Sequence, residues 1–385
     1  MPTPASQRPL HNPQLGAALT ATAANESPIP ETAGRPQWLP AYIPELQGLR
    51  GLAVLAVVLY HCHTRLTNTW IYGATLWGWA GVNLFFALSG FLITSILLEA
   101  RGKPHYFRNF YARRALRIWP VYFLLLLICY TVPDWFLGDT WAHQTHWKTL
   151  VAYAFFVQNL RHTVLPGTLG PTWSLAIEEQ YYFVWAPVVR FCRGKLNWLL
   201  PTILGAMVIA SPIFRLSHAQ WLNTTHTLIH LDGIAFGSLI AVGLHHLNLS
   251  RRLWLWIGIS GAVLGFVAAG TIFGGTSFLD SGLALGFAGV VLATVAGTGA
   301  RNPLALMLRR GLLPFYGQIS YGMYMTHILV FVYFGSFDAR LEHYGMAGNL
   351  AIVGLRLVAA TAVAIALWYG FESQILKLKR FFKSA

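Results

Sequence analysis

Apolar residues run in long blocks along this chain, and the polar residues are confined to short intervals between them. A membrane-crossing helix needs about 20 mostly apolar residues. Stretches of that kind lie near 46–66, 77–99, 115–133, 172–190, 197–215, 226–244, 253–273, 279–297, 314–335 and 347–371. The pattern predicts an all-α fold, a polytopic membrane helical bundle of about ten transmembrane helices. One further apolar piece, Leu150 to Leu160, is too short to span and reads as a re-entrant or interfacial segment. Residues 1–41, rich in Ala, Pro, Thr and Ser with no basic start and apolar core, read as a disordered tail and not a signal peptide. Residues 42–373 then form the transmembrane domain and 374–385 a basic tail.

Composition agrees with that pattern. Of the 385 residues 55% are hydrophobic and only 10% charged. A soluble domain carries about 25% charged residues, so lipid must be the outer solvent for most of this chain. The net charge of +14 does not point to nucleic acid, because the basic residues sit in the intervals between apolar blocks. Of the 27 Lys and Arg, ten spans put 21 on the side that holds both termini and five, Arg65, Lys148, Arg161, Arg215 and Arg340, on the other. Both termini are therefore expected in the cytoplasm. The three cysteines, Cys62, Cys129 and Cys192, include no CxxC pair and suggest neither a disulfide framework nor a metal site.

Polar groups at membrane depth are costly and are functional candidates. Arg50 and His61 are eleven residues apart in the first span, three turns of helix, so they share a face about 16 Å apart along the axis. A cation at the mouth and an imidazole deeper in would suit an anionic ligand inserted lengthwise; a snorkelling Arg and an interfacial His is the simpler alternative. Ser89 and Gly90 lie mid-span, either for close helix packing or to leave room for a thin ligand. Arg113, Arg114 and Arg117 precede the third span. They serve as positive-inside anchors or, with Arg114 and Arg117 neighbours on one helix face, as a phosphate site. Glu178 and Glu179 enter an apolar helix, where an intramembrane carboxylate usually has a partner. His61, at comparable depth, is the natural one for Glu178. Solvation of both acids at the interface is the alternative. Asp232 and His327 are weaker points, and each is equally read as a hydrogen-bonded structural group. No role is assigned to Arg356.

Taken in order, these segments resemble the acyltransferase 3 family of membrane acyltransferases. The landmarks are Leu-Arg50-Gly-Leu-Ala followed by His61; Leu-Phe-Phe-Ala-Leu-Ser89-Gly90-Phe91-Leu92; and Phe-Tyr-Ala-Arg113-Arg114-Ala-Leu-Arg117-Ile-Trp-Pro. Then come Trp173-Ser174-Leu-Ala-Ile-Glu178-Glu179-Gln180-Tyr-Tyr, Leu231-Asp232-Gly233-Ile-Ala-Phe-Gly and Ser320-Tyr321-Gly-Met-Tyr324-Met-Thr-His327. The resemblance covers roughly residues 42–371. It implies acyl-CoA, with acetyl-CoA expected, as co-substrate, no bound cofactor or metal, and a sugar, polysaccharide or glycoconjugate hydroxyl as acceptor. It also implies a bacterial inner membrane location, a catalytic His61, and a donor site at Arg50, Arg114 and Arg117. The oligomeric state stays open. A family Arg before the Asp232-Gly233 pair is His230 or Leu231 here. Many members carry a fused SGNH-type hydrolase domain after the bundle. This sequence ends at Ala385, so transfer is expected within the bundle or with a partner.

The mechanism expected on this reading has His61 as general base on the acceptor hydroxyl, which attacks the thioester. An ordinary imidazole titrates near about 6.5 and general-base help is worth roughly 10²–10⁴-fold. Glu178 would orient the imidazole. Ser89 and Gly90 would line the path of the pantetheine arm, Ser89 donating to the oxyanion. Trp173, Ser174 and His327 are the expected substrate contacts. A covalent acyl-His61 route fits equally. The rival readings are a proton-coupled transporter or acyl-lipid permease without transferase chemistry, and a scaffold for a polysaccharide synthase.

Overall fold

The computed structural model describes residues 34–66, 72–132, 147–160, 167–192, 194, 197–217, 219, 222–271, 276–335 and 340–382. The expected tail is thus described only from residue 34 onward, and Arg161 and Lys383 lie outside the described residues. The fold below concerns the unit Pro36–Ala385.

A helix stands at each of the ten apolar blocks. These are α1 (Pro44–Tyr60), α2 (Gly81–Ala100), α3 (Tyr106–Thr131), α4 (Thr172–Phe191) and α5 (Leu199–Leu216). They are followed by α6 (Leu231–His246), α7 (Arg251–Thr271), α8 (Thr276–Ala296), α9 (Leu312–Tyr333) and α10 (Gly345–Leu367). Six stretches, including α2, α3, α5, α7, α8 and α10, are long and apolar enough to cross a membrane by length and composition. The other four helices fall short for identifiable reasons. α1 has 17 residues and α6 has 16. α4 carries Glu178, Glu179 and Arg190, and α9 dilutes its apolar run with Gln318, Ser320 and His327.

The piece around Leu150 is a helix of eight residues, Trp147–Ala154, too short to cross. The chain turns after it at Phe156, whose φ is 56°. Gln158 then tucks in beneath Tyr122, with Tyr122 donating to the Tyr153 carbonyl at 2.8 Å. The basic segment after 373 continues as helical turns, Ser373–Leu376 and Lys377–Phe381, docked on α3 where Arg113 donates to the Phe382 carbonyl at 2.9 Å.

Close helix approach, the main source of packing between apolar helices in lipid, rests on glycine at two crossings that frame the site. A Cβ on Gly51 of α1 would collide with the Leu313 carbonyl of α9, and one on Gly317 with the Gln47 carbonyl of α1. On α2, a Cβ on Gly90 would collide with the Ile234 carbonyl of α6, and Gly237 meets the Ala87 carbonyl in the same way. Ser238 stitches that second crossing by donating to the Gly90 carbonyl at 3.2 Å. Gly90 therefore faces α6 and not a ligand path, which corrects the expectation that it lines one. Gly90→Val should force α2 and α6 apart at a cost of about 1–3 kcal/mol or more. A lowered unfolding temperature of the purified variant in detergent checks this.

Two ion pairs, one partly and one fully buried, tie helix ends together. Glu45 at the start of α1 meets Arg309 at 3.3 Å and accepts from Thr298 and the Gly299 N–H, each at 3.0 Å. Asp232 at the start of α6 meets Arg215 at the end of α5 at 2.7 Å and accepts from Ser281 at 2.6 Å. Arg215, counted above only as a loop charge, thus supplies the guanidinium that the segment before Asp232 lacks.

Candidate active site

Helices α1, α2, α4 and α9 carry polar residues on the faces they turn to one another, and these surround two adjoining chambers. The first is lined by Arg50 of α1, Ser89 of α2, Arg114 and Arg117 of α3, Ser174, Glu178 and Tyr182 of α4, and Ser320, Tyr321 and Tyr324 of α9. Its free volume is about 110 Å³. Three guanidiniums against one carboxylate, among the described residues, make it strongly cationic. Arg50 donates to the Ser320 hydroxyl at 3.1 Å. The Arg114 guanidinium stands 5.8 Å from the centre of the Tyr182 ring, within cation–π range. Tyr182 donates to Glu178 at 2.6 Å and lies 3.3 Å from the Ser89 hydroxyl.

The second chamber is larger, about 530 Å³, in the range of small-molecule sites, roughly 300–1,000 Å³. His61, Asn83, Phe86, Trp173, His230 and Asp280 are among the residues lining it. Its aromatic wall is continuous: the Trp173 ring is 4.8 Å from His230 and 6.0 Å from Phe86.

Each of the four helices reaches both chambers, α1 through Arg50 and, about two turns on, Val57. On α2, Phe85 borders the first and Phe86 the second; on α4, Ser174 borders the first and Trp173 the second. Among the described residues, Tyr324 is the one that lines both. Its hydroxyl lies 2.7 Å from that of Ser174 and donates to the Pro171 carbonyl at 3.0 Å, and Phe85 packs edge-on to its ring at 5.8 Å. Tyr324, Ser174 and Phe85 are thus the partition between the chambers.

The structure therefore divides the expected site residues. Arg50, Ser89, Arg114, Arg117, Ser174 and Glu178 gather in the first chamber, and His61 and Trp173 in the second. The expected pairing of His61 with Glu178 is not formed. Five residues, about 7.5 Å of helix, separate Glu178 from Trp173, so its carboxylate sits at the level of Ser89. His61 meets His327, which is fully buried and does not line the cavity, with His327 Nε2 3.3 Å from His61 Nδ1.

The carbonyl contacts of the two rings fix their tautomers. His327 Nδ1 lies 2.7 Å from the Tyr324 carbonyl and so carries a proton, leaving Nε2 of the neutral ring as an acceptor. His61 Nδ1 lies 2.9 Å from the Val57 carbonyl, one turn back on α1, and carries a proton as well. That proton is shared between Val57 and His327, and Nε2 becomes the basic nitrogen of His61. No group of three or more His, Cys, Asp or Glu arranged to hold a metal ion occurs among the described residues. The residues missed at the sequence level are Tyr324 as partition, and His230 and Asp280 in the second chamber. The spacing of Tyr324 and His327, three apart on one helix face, was the available signal for their contact.

The sequence pattern of a family described as an acyltransferase domain matches residues 43–369. Over 209 residues the chain is 33% identical to the peptidoglycan O-acetyltransferase OatA of Listeria monocytogenes, covering 50% of this chain and 30% of that protein. It is 36% identical over 186 residues to YrhL of Bacillus subtilis, provisionally named a peptidoglycan O-acetyltransferase, covering 45% of this chain and 28% of that protein. The chain thus spans less than a third of the length of these relatives. No solved structure matches it. The family match over most of the chain, the apolar helices and the bacterial relatives together make this a multi-pass bacterial membrane protein, a member of the acyltransferase 3 family.

Proposed function

We propose that the protein moves an acetyl group from acetyl-CoA to a hydroxyl of a cell-surface glycan, with the donor in the arginine chamber and the acceptor in the His61 chamber. The observation that carries this reading is the pair of adjoining chambers, one strongly cationic and one holding a basic imidazole nitrogen beside an aromatic wall. The anionic donor enters from the cytoplasmic end, its phosphates paired with Arg50, Arg114 and Arg117. The pantetheine arm lies along Ser89 and Ser174, and the thioester comes to rest at the partition beside Tyr324. His61 Nε2 takes the proton of the acceptor hydroxyl as its oxygen attacks the thioester carbonyl. The tetrahedral intermediate collapses by breaking the C–S bond, and the CoA sulfur leaves with the proton returned from His61. His327 holds the His61 ring in the reactive tautomer, the office that sequence reasoning gave to Glu178. Glu178 instead balances part of the guanidinium charge. The hydroxyls of Tyr324 and Ser174 are the donors nearest the partition, and they would turn from the Pro171 carbonyl to receive the developing oxyanion.

The deciding measurement is calorimetric titration of acetyl-CoA into the protein purified in detergent. Arg114→Ala should weaken binding about 10- to 100-fold, the worth of one or two charge-assisted hydrogen bonds. No saturable binding at millimolar acetyl-CoA would defeat the donor assignment and return the transporter reading to the front.

A further inference from the structure

The second chamber has a charge character opposite to the first. Among the described residues neither Lys nor Arg lines it, and its formal charge comes from Asp280 on α8. The guanidinium nearest by sequence and packing, Arg215, is committed elsewhere: it bonds Asp232 at 2.7 Å and also reaches Ser281 and the Ile229 carbonyl. Asp232 thereby offsets the charge of Arg215, and the cationic groups left to act on Asp280 through space are Arg215 itself and His230 when protonated. No hydrogen bond from the described residues reaches the Asp280 carboxylate. A half-buried carboxylate without donors is costly, and such a group in a cavity wall is completed by donors that a ligand brings. Across the cavity the Trp173, His230 and Phe86 rings offer an apolar face, and Asn83, Thr224 and Thr225 add short polar groups. His230 Nε2 is turned away to the Thr224 carbonyl at 3.0 Å, so it does not neutralise Asp280 by hydrogen bonding.

We infer that Asp280 selects the acceptor by charge. On the reading that this chamber holds the acceptor, the ring that fits is a sugar without a negative charge near its reacting hydroxyl. One face of the ring lies on Trp173 and its hydroxyl or amide N–H groups donate to Asp280. Uronates and phosphorylated sugars are turned away, because a like charge set against a desolvated carboxylate suppresses binding of the wrong partner. The two chambers then sort the two substrates by charge, the polyanionic donor to the arginines and the uncharged ring to the carboxylate.

The test uses the whole purified protein and two probes, a β-1,4 tetramer of N-acetylglucosamine and the same tetramer oxidised at C6 to the uronate. Binding of each is measured by calorimetry. The wild type should bind the neutral tetramer at least about 10-fold more tightly than the uronate, a modest share of what a like-charge clash costs. Asp280→Asn keeps the shape and removes the charge, so the preference should shrink to within about threefold, roughly the level expected with no formal charge in the wall. Asp280→Glu should retain the preference, which a merely structural carboxylate has no reason to do. Equal binding of the two probes by the wild type, binding of neither, or an unchanged preference in Asp280→Asn overturns the inference. Acetyl-CoA titrated into the same samples reports on the transferase reading separately: its loss would sink that reading, whereas a lost sugar preference with intact acetyl-CoA binding sinks only the role of Asp280.

Discussion

His61→Ala should reduce acetyl transfer by roughly 10²–10⁴-fold, the range of general-base assistance, while acetyl-CoA binding stays near the wild-type level. The separation follows from the two chambers. His61 lines the second and takes no part in the first, where the arginines sit. Measuring transfer from labelled acetyl-CoA beside donor titration on one preparation reads both quantities. His327→Ala should lower transfer less, because it frees the His61 ring to adopt the other tautomer without removing its basic nitrogen. His327→Gln, whose side-chain oxygen can accept from His61 Nδ1, should recover part of the loss. Full turnover in His61→Ala would remove the imidazole from the mechanism. Loss of donor binding in that variant would show that the chambers are not independent.

Asp232→Ala should be the most damaging single substitution to the fold. The Arg215–Asp232 pair is nearly inaccessible, with side-chain exposures of 6% and 2%. Removing the carboxylate leaves a buried guanidinium uncompensated, at a cost of about 3–5 kcal/mol. Little monodisperse protein should be recovered after detergent extraction, and its unfolding temperature should drop sharply. Replacing both partners by apolar residues, Arg215→Met with Asp232→Leu, should restore much of the stability, since an apolar pair of similar volume carries no desolvation penalty. If Asp232→Ala proves as stable as the wild type, the ion pair does not hold α5 to α6. If the double variant remains unstable, the hydrogen bond from Ser281 matters more than the charges.

Much of this architecture was legible in the hydrophobic pattern, and the limits of that legibility are physical. The long apolar blocks located every long helix because the pattern reports length directly. The shared face of Arg50 and His61 followed from helical periodicity, and both do face the site, in different chambers. The choice of partner for His61 went astray because depth along a span was judged without rotation: Glu178 lies about a turn and a half from Trp173, which is enough to move it from one chamber to the other. Gly90 was open to two readings, and the proximity of Ile234 on α6 decides for packing. Arg215 was invisible as a partner because its tie to Asp232 spans 17 residues and a turn between helices. Tyr324 stood inside a quoted motif, yet its position between two cavities depends on four helices at once, which no local pattern encodes.

The partition at Tyr324 has a consequence for the cell as well as for the reaction. Two polar chambers stacked along the axis of a bundle would, if joined, form a water-filled thread through the lipid, and protons would run down it. The contacts among Tyr324, Ser174 and the Pro171 carbonyl stand between them, and on the proposed reading they would act as electrical insulation. On that reading, a charged donor would come from one direction and an uncharged sugar from the other, and the membrane between them would keep its voltage.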